Sequence, residues 1–151
     1  MKRCIGGFKM AETVFVDTTF LVARFNTRDR THRHAVDFLE SQRRSPGAPR
    51  PVLSDYVFDE MVTTLLFRSR RHAVARAAGK AILESQASRI VRVDDSASQA
   101  AWDLFLARED KDWSFTDCTS LRSDGPPRPA DRALVRSELS SGGLRDPPRD
   151  P

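Results

Sequence analysis

The sequence predicts an α/β fold, a short parallel sheet flanked by helices, on three observations. Short runs of β-branched and aromatic residues alternate with stretches of helical periodicity from Thr13 to about Ser120. Acidic residues stand at or just beyond the ends of those runs, where an open α/β sheet places its chemistry. The chain has 151 residues, about one domain's worth, with 39% hydrophobic and 30% charged residues, which excludes a wholly disordered polypeptide.

The first strand is Thr13 to Val16, closed by Asp17-Thr18-Thr19, which are good helix-capping types. Phe20 to Phe25 then reads as helical. Thr31 is placed to cap a helix whose apolar positions Ala35, Phe38 and Leu39 recur at helical spacing, before the loop Ser45-Pro46-Gly47-Ala48-Pro49. Val52-Leu53 is a second strand. Ser54-Asp55 opens a helix in which Phe58, Met61, Val62, Leu65 and Leu66 form one apolar stripe. A helix over Ala73 to Ser85 follows, then a third strand, Ile90 to Val93. Ala97, Ala101, Leu104 and Phe105 mark a further helix ending near Arg108.

Three segments are expected: a leader at residues 1–12, a folded domain at 13–120 and a tail at 121–151. The leader carries Lys2, Arg3 and Lys9, but Cys4 to Phe8 is too short and glycine-rich for the apolar part of a signal peptide, so a cytoplasmic location is expected. No apolar run reaches the length of a membrane span; Val14 to Phe25 is interrupted by Asp17 and Arg24. Cys4 and Cys118, far apart, read as free thiols. In the tail lie six of the nine prolines, six arginines and no aromatic residue, a composition that cannot offset its ordering entropy; disorder is expected there, with at best a helical turn around Ala133 to Leu139.

Basic residues outnumber acidic ones, 25 to 21, and most are arginine, suited to bidentate phosphate contact. They gather at Arg24, Arg28, Arg30 and Arg33, and again at Arg68, Arg70, Arg71, Arg76 and Lys80, a spread able to line a nucleic-acid groove or to form solvated helix faces.

Asp17, Glu60 and Asp117 are the candidate site. If the strands are parallel, these carboxylates converge although they are far apart in sequence. Gathered carboxylates repel one another unless a cation holds them, and a hard ion such as Mg²⁺ or Mn²⁺ prefers oxygen ligands. Such an ion polarises a phosphoryl oxygen and activates a water for attack on a phosphodiester. Each residue also has a plainer explanation. Asp17 fits a helix cap, Ser114-Phe115-Thr116-Asp117 fits a capping box, and spacing does not prefer Glu60 to Asp59. His32, His34 and His72 lack companions at metal-ligand spacing and suit surface or capping roles. Trp102 and Trp113 are expected to pack.

Three segments carry a family resemblance: Val14-Phe15-Val16-Asp17-Thr18-Thr19, Leu53-Ser54-Asp55-Tyr56-Val57-Phe58-Asp59-Glu60, and Asp110-Lys111-Asp112-Trp113-Ser114-Phe115-Thr116-Asp117-Cys118. In kind, order and spacing they resemble the PIN-domain family, specifically ribonuclease toxins of the VapC type from toxin–antitoxin modules; Asp29 and His34-Ala35 match too. The resemblance covers about Thr13 to Ser120 and implies a PIN-like three-layer fold. It also implies Mg²⁺- or Mn²⁺-dependent RNA hydrolysis at Asp17, Glu60 and Asp117, and so selects Glu60 over Asp59. A homodimer and a small cognate antitoxin that inserts a peptide near the acidic pocket are implied as partners.

The sequence after Ser120 departs from that family. The expected strand, the acidic position in a T-x-D-x-x-F-like motif and the final strand are not legible in Leu121 to Pro151, and neither Asp124 nor Asp131 transfers onto the acidic position. A shift of reading frame near Ser120 accounts for this: one synonymous-codon choice for the tail, regrouped by a nucleotide, contains D-R-N-F and then A-G-F-E-I-L-P. A coding sequence without such a peptide in its alternative frame would sink that explanation. The domain is therefore expected to be incomplete at its C-terminal end, weakly active or inactive, and prone to aggregate. Two rival readings compete with the metal-dependent endoribonuclease: a non-catalytic remnant that still binds antitoxin or RNA, and a small helical interaction protein, which predicts no three-stranded sheet.

Overall fold

The computed structural model describes residues 13–122; the leader, and the tail from residue 123 with its predicted turn at Ala133 to Leu139, lie outside the described residues. Nine elements follow in the order β1 (Thr13–Phe15), α1 (Thr18–Phe25), α2 (His32–Arg44), β2 (Arg50–Ser54), α3 (Asp55–Ser69), α4 (His72–Leu83), β3 (Arg89–Val91), α5 (Asp95–Ala107) and α6 (Phe115–Arg122). The three strands form one parallel sheet in the order β1-β2-β3, which removes the purely helical reading.

Parallel strands all deliver their carboxyl ends to one edge, and this is what positions the site. Phe15 pairs with Val52, and Ser54 with Val91. Val16 N–H extends the first ladder to the Val52 carbonyl at 2.8 Å. The second strand starts two residues earlier than its apolar run suggests, at Arg50, and takes in Pro51, which pairs with Val14. The third strand ends at Val91, earlier than expected. Val93 N–H turns away to the Asp55 carboxylate at 3.1 Å and thereby ties the start of α3 to the lead-in of α5.

The core lies among β1, β2, α1, α3 and α4. Val57, Met61 and Leu65 recur every fourth residue on α3 and are completely buried, with Phe58 and Val62 partly buried beside them and Leu66 at the exposed margin. Helix α1 is buried over Phe20, Leu21, Val22 and Ala23, so it is an interior helix despite its eight residues. Helix α2 buries only Ala35 and lays the Phe38 ring edge-on against Phe20, 5.8 Å between centroids. Thr31 precedes α2 as expected but makes no side-chain cap bond: its hydroxyl donates to Asp29 Oδ1 at 2.7 Å instead. Ser54 does cap α3, accepting from Val57 N–H at 3.1 Å, and Asp94 caps α5 through Ala97 N–H at 2.8 Å.

Helices α5 and α6 pack on each other through rings. Phe115 meets Tyr56, Trp102 and Phe105 edge-on, and Trp102 stacks on Phe105 at 5.7 Å. Trp102 is thus a packing residue, although 46% of it stays exposed. Trp113 carries the Arg108 guanidinium over its ring at 5.1 Å. Cys118 is buried; Cys4 lies outside the described residues. No described helix is long and apolar enough to cross a membrane.

Candidate active site

Asp17, Glu60 and Asp117 line one pocket of about 220 Å³, with Thr18, Thr64, Arg68 and Ser114 among its other walls. Each acid arrives there by a different local route. Asp17 is the second of the two residues between β1 and α1, in extended conformation, and caps α1 by accepting from Thr18 N–H at 2.8 Å. Glu60 sits in the second turn of α3, half-buried, while its neighbour Asp59 points to solvent. The helix periodicity that buries Val57, Met61 and Leu65 places Glu60 and Thr64 at the edge of that stripe and turns Asp59 away. Asp117 lies in the first turn of α6 in the expected capping box: Ser114 N–H donates to Asp117 Oδ2 at 2.9 Å, and Asp117 N–H donates to Ser114 Oγ at 3.1 Å.

The capping explanations of Asp17 and Asp117 therefore hold, and they do not compete with a place in the pocket. An N-cap pins a carboxylate to the start of a helix, and both helix starts open onto the same space. Thr18 adds a cross-link that spacing does not reveal, its hydroxyl donating to Glu60 Oε2 at 2.7 Å across 42 positions of sequence. That bond fixes the Glu60 side chain against α1.

The three acids share a pocket without closing on a common point: among the described residues no three acidic, histidine or cysteine side chains stand close enough to hold an ion jointly. The donors facing the pocket are carboxylate and hydroxyl oxygens, without soft sulfur or imidazole ligands. This set suits a hard divalent cation that keeps several of its waters and takes only one or two carboxylates directly. The histidines stay outside it. His32 Nδ1 is 2.8 Å from the Ala23 carbonyl near the end of α1, and His34 and His72 are exposed.

Two further residues of α3 line the pocket. Arg68 follows Glu60 by two helical turns and reaches the pocket rim, its Nη1 4.0 Å from Asp29 Oδ2. Thr64 lies between them on the same face. The sequence carries two signals for them: the four-residue spacing Glu60, Thr64, Arg68, and the place of Arg68 in a basic cluster able to line a nucleic-acid groove.

Residues 14–123 match the PIN domain family. The 23S rRNA-specific endonuclease VapC20 of Mycobacterium tuberculosis, from strains CDC 1551 / Oshkosh and ATCC 25618 / H37Rv, is 33% identical over 108 residues, which is 72% of this chain and 77% of the relative. The crystal structure of Mycobacterium tuberculosis VapC20, described as a sarcin-ricin loop cleaving toxin, superposes with a TM-score of 0.62 at 26% identity, over 88% of this chain and 97% of that one. With three parallel strands, an acidic pocket at their carboxyl edge and these likenesses in hand, the chain belongs to the PIN domain family and is a VapC-like ribonuclease.

Proposed function

We propose that Asp17, Glu60 and Asp117 are the metal-holding, catalytic carboxylates of a Mg²⁺- or Mn²⁺-dependent endoribonuclease. The observation that carries this is the meeting of three acids, drawn from residues 17, 60 and 117, in a single pocket. PIN-domain nucleases as a group depend on divalent metal. A bound ion would supply charge neutralisation at the phosphoryl oxygen and a water of lowered pKa. Asp17 and Asp117, both fixed by helix caps, and Glu60, steadied by Thr18, would hold it directly or through its waters, and Glu60 would also take the proton of the attacking water. The water oxygen would form the new bond to phosphorus as the ester P–O bond breaks, and the departing oxygen would take a proton from solvent.

Turnover is expected to be low, because the sequence after Ser120 lacks the legible acidic motif of the family. The named substrate of VapC20 makes 23S rRNA the first RNA to test, with a cognate antitoxin and a second copy of the chain as partners and the cytoplasm as the place of action. The full chain incubated with RNA should cleave it in Mg²⁺, lose the activity in EDTA and lose it again on Asp17→Asn. Cleavage that persists in EDTA, or in the Asp17→Asn variant, would overturn the assignment. Binding of RNA or antitoxin without any metal-dependent cleavage would leave the non-catalytic remnant.

A further inference from the structure

We infer that Arg68, aimed by Asp29, binds an RNA phosphate flanking the one that is cut; this rests on the ribonuclease reading of the pocket. Three acids facing one space repel a polyanionic substrate at the distances where it must bind. Among the described residues lining that space, Arg68 is the one cation. Glu60, Thr64 and Arg68 fall four residues apart on α3 and share a face, so the guanidinium marks one end of a line that begins at a candidate catalytic carboxylate.

Eight residues of helix rise by about 12 Å, which sets Arg68 beyond the phosphoryl group that the carboxylates would engage and beside a neighbouring one. Its side chain is 62% exposed, and its link to Asp29 is a single contact at 4.0 Å. A contact of that length steers the guanidinium while leaving most of its five N–H donors for a ligand, in the planar fork that matches a phosphate.

Asp29 is built to steer. Its side chain is only 18% exposed, and its Oδ1 accepts both Thr31 N–H at 2.9 Å and Thr31 Oγ–H at 2.7 Å. Those two bonds fix the carboxylate plane and present Oδ2 to Arg68. Thr31, with φ −99° and ψ 5°, lacks the extended backbone of an N-cap, and its hydroxyl donates to Asp29 rather than capping α2. Asp29 is thus a positioning residue and Arg68 a substrate-binding one.

The test is binding of a short fluorescent single-stranded RNA to the full chain in EDTA, titrated over a range of salt concentrations. Metal-free binding is measurable whether or not the chain cleaves, so failure here and failure of the nuclease assignment are separable. Arg68→Ala should weaken binding about five- to tenfold and lower the slope of log affinity against log salt by about 0.7, the value for one phosphate contact on a single strand. Arg68→Lys should restore the slope but only part of the affinity. Asp29→Asn, which keeps an acceptor for Thr31, should weaken binding less than Arg68→Ala and raise KM with kcat unchanged in the Mg²⁺-dependent assay. Arg44→Ala, on the far exposed end of α2, is the control and should change neither. An unaltered slope in Arg68→Ala, or an equal loss in Arg44→Ala, overturns the inference. So does a change confined to metal affinity, which would make Arg68 a neutralising counter-charge for the acids.

Discussion

The two parts of the domain that build the pocket are held together differently. Helices α1 and α3, which carry Asp17 and Glu60, lie in the continuous core, where Val57, Met61 and Leu65 are wholly buried and Val22 and Ala23 almost so. Helices α5 and α6, which carry Asp117, bury little apolar surface: Ala97 and Ala101 on α5 and Cys118 on α6, with Trp102, Phe105 and Leu106 left 40% or more exposed. Among the described residues, α6 meets the rest through a ring cluster around Phe115 and a buried face that includes Cys118, Thr119 and Ser120. Two of the acids therefore stand beside the continuous core, and the third on a helix packed chiefly against rings and short side chains. The pocket inherits the stability of its weaker wall.

That contrast can be broken at the chemistry first. Asp17→Asn or Glu60→Gln should lower RNA cleavage by about 100-fold or more, since even outer partners of metal ligands cost about 10–100-fold; cleavage within a few-fold of the parent chain would remove those residues from the site. Next in size is Met61→Ala, which empties a wholly buried position and should cost about 2–5 kcal/mol in urea unfolding. Trp102→Ala, in the other part, should cost about 1 kcal/mol, because the ring is half in solvent; a loss as large as that of Met61→Ala would show the two parts to be equally well packed.

Asp117 separates anchoring from chemistry. Asp117→Asn keeps an oxygen for Ser114 N–H, whereas Asp117→Ala removes it. Both should abolish cleavage, and only the alanine should lose about 1 kcal/mol of stability. The smallest effect has the opposite sign. Gly79 lies within α4, and a Cβ there would meet Val62 and Phe58 at ordinary contact distances of 3.5 and 3.6 Å. Gly79→Ala should thus stabilise the better-packed part by about 0.5–1 kcal/mol, seen as a higher urea midpoint with unchanged slope.

Acid should loosen the other part first. Asp94, the α5 cap, has its carboxyl held below the ordinary aspartate range, chiefly by the Ala97 N–H and next by the Ser96 hydroxyl. A carboxyl whose folded value is lowered contributes stability above its unfolded value and loses it as pH falls through the folded one. Fluorescence of Trp102 and Trp113 should consequently change at acid pH before far-ultraviolet circular dichroism does; simultaneous transitions would contradict this.

The elements were legible in the sequence wherever burial is periodic. The stripe on α3 and the caps at Asp17, Ser54 and Ser114 set helix starts that agree with the structure. Strand ends were less legible, because Val93 leaves the sheet for a carboxylate 38 residues earlier in the chain. Within the pocket, spacing yields capping roles for Asp17 and Asp117 and nothing that separates Glu60 from Asp59; family likeness chose between those two, and exposure agrees. Thr18 bonded to Glu60 and Asp29 facing Arg68 were not legible, since each joins residues about 40 positions apart through side-chain geometry that local pattern does not encode.

The uniform direction of the strands has a temporal side. The three acids come from residues 17, 60 and 117, and nothing short of two completed crossovers and a docked α6 gathers them. If these acids do the cutting as proposed, a nascent chain holds an unfinished site for most of its synthesis and completes it only when the last helix is free to settle. Restraint of this kind would come from chain order alone.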